Sequence, residues 1–176
     1  MGKRYTAMDV ANLIVIYANQ IPDRTSKLTP LLLQTILYHV YVECLIHGTK
    51  LFDTPIEKRK FGPFIRAVYR NFKAYGIHHI EEPSSEYIFE ESTKGIHFEE
   101  VPFCPDAIAF SSEIKDAIRK KVNELINFKP LELVERTHSE LPWKSQEALI
   151  LKGDRDLFYS DREILDWWKY NLKNNN

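Results

Sequence analysis

Leu28-Thr29-Pro30-Leu31-Leu32-Leu33-Gln34-Thr35-Ile36-Leu37-Tyr38-His39-Val40-Tyr41-Val42-Glu43-Cys44-Leu45-Ile46-His47-Gly48 is the stretch whose reading decides the fold. Both of its ends carry helix signals. Thr29 suits the N-cap, Pro30 the first helical position where no N–H is needed, and Gly48 the left-handed stop. Leu33, Ile36, Leu37, Val40, Cys44 and Leu45 recur at the steps of a buried face. Leu32, Tyr41 and Ile46 widen that face until little circumference is left for water. A helix apolar nearly all round either spans a membrane or fills a core. Gln34, His39 and Glu43 interrupt this one, and its apolar run falls short of roughly 20 residues. It reads as the central helix of a soluble domain.

Outward from this helix the chain looks mainly helical. Thr6 and Asp9 start a first helix with Val10, Leu13, Ile14 and Tyr17 inward. After Gly48 the chain extends to Phe61-Gly62-Pro63-Phe64, where Pro63 is expected to begin a third helix. Phe64, Val68 and Phe72 form its inner stripe, Arg66, Arg70 and Lys73 its outer face, and Tyr75-Gly76 its end. The period then changes. Tyr87-Ile88-Phe89-Glu90 and Ile96-His97-Phe98-Glu99 are β-prone runs joined through Gly95, a hairpin signal. Ser111 or Ser112 caps an amphipathic helix with Ile114, Ile118, Val122, Leu125 and Ile126 inward. A shorter helix follows Pro130 through Leu131, Val134 and Thr137. Pro142 opens another that runs to Gly153, and Ser160 caps the last. The expected architecture is mainly α (α+β), one globular domain of about six helices around the central helix with a small antiparallel β-hairpin. It covers residues 5–172, with 173–176 a disordered tail.

The 176 residues carry 24 Lys and Arg against 25 Asp and Glu, so net charge selects no partner class. The distribution is more telling. Lys58, Arg59, Lys60, Arg66, Arg70 and Lys73 fall in a stretch with no acid, whereas Glu81–Asp106 holds eight acids and one base, Lys94. Cys44 and Cys104 give neither metal spacing nor a disulfide framework. Gly2 with Thr6 satisfies the myristoylation pattern formally, but Lys3 and Tyr5 read as ordinary start-of-domain residues. No apolar leader follows Met1, which points to the cytoplasm.

Thr137-His138-Ser139-Glu140-Leu141-Pro142-Trp143 is the most tempting site. His138 and Glu140 could form an acid–base pair on a bend, but the motif offers no third ligand for a metal. The structural alternative is that both bond free backbone groups between two helices while Trp143 packs the corner. There is no nucleophile elbow, phosphate loop or paired metal motif, and His78-His79 reads as a surface turn. The basic helix with Arg66 and Arg70 lacks a partner helix at helix-turn-helix spacing.

Tyr5-Thr6-Ala7-Met8-Asp9-Val10-Ala11, Leu33-Gln34-Thr35-Ile36-Leu37-Tyr38, Phe61-Gly62-Pro63 with Tyr69, Phe72 and Tyr75-Gly76, and Thr137–Trp143 follow one another in an order that resembles the Panacea antitoxin domain, which includes SocA-like, prophage-associated proteins. Two places depart from the family pattern: Thr35 stands where lysine is usual, and Lys58-Arg59 where Ala-Trp is common. The resemblance implies a non-enzymatic, mostly helical domain, and no cofactor is expected. It implies a cognate toxin as partner, neutralised by direct binding or presented to a Clp-type protease. Gly62, Pro63, Arg66, Tyr69, Arg70, His138, Glu140, Pro142 and Trp143 are the candidate family-motif or partner-binding positions. An enzyme built on His138 and Glu140 is the second reading, and a nucleic-acid-binding regulator the third.

Overall fold

The computed structural model describes residues 5–174; Gly2 of the formal lipidation pattern lies outside them. Helix α2 (Pro30–Ile46) is buried on nearly every side, and α1 (Ala7–Asn19) packs along it. Thr29 Oγ1 accepts from the Leu32 N–H, and Pro30 occupies the first turn. At the other end Gly48 takes φ +88°, and the Thr49 N–H donates 2.8 Å to the Cys44 carbonyl, closing the last turn. A capping box between Thr6 and Asp9 starts α1.

Two short strands follow, β1 (Glu57–Arg59) and β2 (Gly62–Phe64), paired antiparallel with Lys60 and Phe61 as the turn. The Lys58 N–H donates to the Leu157 carbonyl and the Tyr159 N–H to the Ile56 carbonyl, each at 2.8 Å. A segment a hundred residues downstream thus covers the outer edge of β1. Pro63 therefore lies in a strand and does not begin the third helix. Pro63 lacks an N–H, which an edge strand tolerates, and α3 (Arg66–Phe72) starts only after Ile65. Val68 and Phe72 are its buried residues, so Phe64 leaves the expected stripe.

Strands β3 (Glu86–Ser92) and β4 (Gly95–Val101) form the expected hairpin, closed by Thr93 and Lys94. Helix α4 (Ser112–Leu125) crosses α2 and α1, with Ile118, Val122 and Leu125 buried. In α5 (Pro130–Ser139) the inward residues are Leu133, Val134 and Thr137, whereas Leu131 is exposed: the buried face begins two residues later than its apolar content suggested. The expected single helix after Pro142 breaks at Ser145–Gln146 into α6 (Leu141–Lys144) and α7 (Glu147–Lys152). That split helps bring the described helices to eight, where about six were expected. Helix α8 (Asp161–Asn174) includes Lys173 and Asn174, so half of the expected tail is helical, and the rest lies outside the described residues. Among the described residues, no helix is long and apolar enough to cross a membrane.

Candidate partner-binding site

The β1–β2 hairpin is anchored from three sides by residues distant in sequence. From α2, Gln34 holds Ile65 at both backbone groups: its Oε1 accepts from the Ile65 N–H at 2.8 Å, and its Nε2 donates to the Ile65 carbonyl at 3.0 Å. From α6, the Trp143 indole N–H donates 2.9 Å to the Arg59 carbonyl. The His138 ring stacks on Trp143 with centroids 3.7 Å apart and planes 17° apart. Burial holds the His138 imidazole below its usual pKa, while its hydrogen bond to the Lys60 backbone works against that shift. From α5, Thr137 presses on the turn itself. Gly62 has φ +90°, and a Cβ built there would stand 2.9 Å from Thr137 Oγ1. Only glycine fits that corner without strain.

Electrostatics fix the strand from inside. Glu57 is 5% exposed, and its carboxylate takes Arg59 on one side and Arg66 on the other, with Arg66 Nη2 at 3.0 Å. Lys58 is 2% exposed; its ammonium donates 2.8 Å to Gln146 Oε1, pairs with Glu163, and lies 5.2 Å above the Tyr159 ring. Three members of the basic stretch, Lys58, Arg59 and Arg66, therefore serve the fold, and the free positive surface is smaller than the sequence suggests.

On the outside, a groove of about 810 Å³ runs past Gly62 and Pro63. Phe61, Tyr69 and Leu151 stand exposed along it, with Lys60, Arg66, Lys73 and Arg155 among its cations and Asp154 as the acid. Phe61 and Leu151 also border a second cleft of about 310 Å³, which His138 and Trp143 line. The structure thus brings Gly62, Pro63, Arg66, Tyr69, His138 and Trp143 to one hairpin. Arg70 is exposed but does not line the groove, and Pro142 is buried in the first turn of α6.

Glu140 is a correction. It was expected to bond backbone beside His138; instead its carboxylate accepts a 2.8 Å hydrogen bond from the Tyr38 hydroxyl inside the domain. Burial pushes its pKa up to about 7, against the Tyr38 hydrogen bond, which pulls it down. It borders a cleft shared with His39 and Trp168, while His138 borders the one beside Phe61. The two residues face different clefts, so the geometry does not assemble them as an acid–base pair. Among the described residues, no group of three or more His, Cys, Asp or Glu could hold a metal ion. Cys44 is a buried core residue, its thiol pushed up to about 11 by burial. His79 is likewise structural: its Nδ1 accepts from the Leu28 N–H at 2.9 Å.

Sequence reasoning missed Lys58 and Glu57 as interior residues and Gln34 as a clamp. A polar residue on a helix otherwise apolar all round was the available signal for Gln34.

The antitoxin SocA-like, Panacea domain family is matched over residues 33–144. The chain belongs to this family. The Panacea match starts one residue before Gln34 and ends one residue after Trp143, so it contains the hairpin and all three of its anchors. It is narrower than the motif order suggested, leaving out α1, α7 and α8. No curated protein and no solved structure matches the chain.

Proposed function

We propose that this Panacea protein is an antitoxin that neutralises a cognate protein toxin in the cytoplasm by binding it directly, without turnover. The observation that carries this reading is the convergence of family-matched residues on one hairpin. Gln34, Gly62, Thr137 and Trp143 all act to hold that hairpin in one shape, and what they display is a mixed aromatic and cationic groove. Exposed aromatic side chains beside arginine are the usual anchors of a protein interface. Rigid support beneath them lowers the ordering cost of association.

The test is co-expression with the product of the neighbouring gene, followed by growth assay and pull-down. Growth should be rescued with a stable complex, and Phe61→Ala and Leu151→Ala should weaken that complex while Arg70→Glu leaves it intact. Rescue without any complex overturns direct binding. Rescue that needs a Clp-type protease makes the protein an adaptor, and a complex lost on nuclease treatment moves the assignment to nucleic acid.

A further inference from the structure

The β3–β4 hairpin gathers exposed apolar side chains away from the groove. Tyr87, Phe89, Ile96 and Phe98 are each at least 60% exposed. The strand register places all four on one face, because Tyr87 pairs with Glu100, Phe89 with Phe98, and Glu91 with Ile96. Phe89 and Phe98 meet edge to face at 4.9 Å and form the crest of that face. Glu91 and Glu100 stand on the same side at opposite corners. Glu86, Glu90 and Glu99 occupy the other side, and Lys94 at the turn is the hairpin's one cation. Two strands in water are marginally stable alone, and an aromatic face of this kind calls for a cover.

The same molecule carries the complementary surface. The groove at Gly62 and Pro63 presents Phe61, Phe64 and Tyr69 among Lys60, Arg66, Lys73 and Arg155. No residue of the β3–β4 hairpin lines it, so a chain does not fill its own groove. An aromatic crest with carboxylates at its corners matches an aromatic floor with cations at its rim. From the Tyr87–Glu100 pair to the Glu91–Ile96 pair the aromatic face runs about 14 Å, four steps along the strand.

We propose that two copies of this chain associate as a two-fold dimer in which each copy's β3–β4 hairpin docks in the other's Gly62–Pro63 groove. Such an arrangement is closed: hairpin meets groove twice, and each contact is the symmetry mate of the other. It rests on the groove being a docking surface, as in the toxin-binding reading, and adds that the groove is occupied by a second copy before the toxin arrives. The toxin would then compete with self-association.

The experiment uses the purified full chain alone, so its outcome does not depend on the toxin. Sedimentation or light scattering should show a dimer whose dissociation constant rises by about tenfold or more between about 50 mM and about 500 mM salt, as screening removes the charge contacts. Two variants isolate the surfaces: E91K/E100K reverses the hairpin, and K60E/R155E reverses the groove. All four positions are exposed, so each variant should melt as the parent does. Each alone should be monomeric. Mixed, they should form a heterodimer, because both hairpin–groove contacts then pair opposite charges again. A parent that stays monomeric at low salt overturns the proposal. So does a dimer that persists in both variants, or a mixture that fails to associate.

Discussion

Thr137 Oγ1 lies 2.9 Å from the point where a Cβ on Gly62 would stand. The hydroxyl is held there by its own hydrogen bond, donated 2.7 Å to the Val134 carbonyl one turn back in α5. The β1–β2 turn and α5 are therefore in contact at a place where neither has room to move. Gly62→Ala should lower stability by about 1–3 kcal/mol, from the left-handed backbone together with the steric contact. In a T137A background the added loss should be smaller, since only the backbone component remains. Urea denaturation of the four proteins in the cycle measures this. An unchanged midpoint for Gly62→Ala would contradict the packing described.

Gln34→Ala should loosen the same hairpin from the opposite side. It leaves the buried Ile65 N–H without its partner, a loss of about 1–3 kcal/mol. Hydrogen exchange reads this locally: the Ile65 amide should lose protection by a larger factor than amides in the middle of α4. Equal loss at both places would mean Gln34 serves the core in general and not the hairpin.

Arg66 and Arg70 differ although both are exposed and one helical turn apart. Arg66→Glu sets a second carboxylate against Glu57, which is buried, and should lower the melting temperature. Arg70→Glu has no such neighbour among the described contacts and should leave it within error. If both reversals melt alike, the Glu57 pairing is not a structural element.

Acid and base act in opposite directions on the cleft that His39 and Glu140 border. The Glu140 carboxyl is raised from 4.5 to about 7, so the folded state holds its proton more tightly. Its contribution is present in full below pH 4.5 and is lost as pH rises through 7, by about 3 kcal/mol at about 1.4 kcal/mol per unit. His39 is lowered from 6.5 to about 4 by burial, with Lys121 and Arg136 adding to the shift. Its contribution is present above 6.5 and is lost as pH falls toward 4. Between about pH 4.5 and 6.5 the two slopes oppose. Glu140→Gln should uncover a stability that rises with pH, and His39→Gln one that falls. Chemical denaturation across that window checks both signs, and parallel curves for the two variants would refute the assignment.

His138→Ala removes a ring stacked on Trp143 and a contact to the Lys60 backbone. Stability should drop by about 1–3 kcal/mol. Trp143 fluorescence, which reports on the ring beside it, should change in the folded state. Stoichiometric zinc binding by the parent that vanishes in the variant would overturn this structural role.

The elements legible in the sequence are those whose signals are local. Thr29, Pro30 and Gly48 mark both ends of α2 within a few residues of where it starts and stops, and Gly95 announces the β3–β4 turn. Pro63 was misleading because proline suits a helix start and an edge strand equally, and the choice is made by Leu157–Tyr159, far along the chain. Glu140 was misplaced for the same reason: its partner, Tyr38, is 102 residues away. Lys58 gave no hint at all. A lysine is rarely buried, and the partners that allow it, Gln146 and Glu163, lie just before α7 and in the first turn of α8. Periodicity carries no information about such pairs, so the candidate motifs were found while their shared hairpin was not.

The dependence of β1 on late chain has a consequence in time. Its outer edge bonds Leu157 and Tyr159, and its lysine is neutralised by Glu163, all made about a hundred residues after the hairpin itself. At about 5–20 residues per second, a ribosome needs about 5–20 s to supply them. During that interval the matched segment 33–144 can be fully synthesised while Lys58 still lacks its counter-charge. The groove would be completed only once α8 has been made, so the family-matched segment is synthesised before the surface it displays is finished.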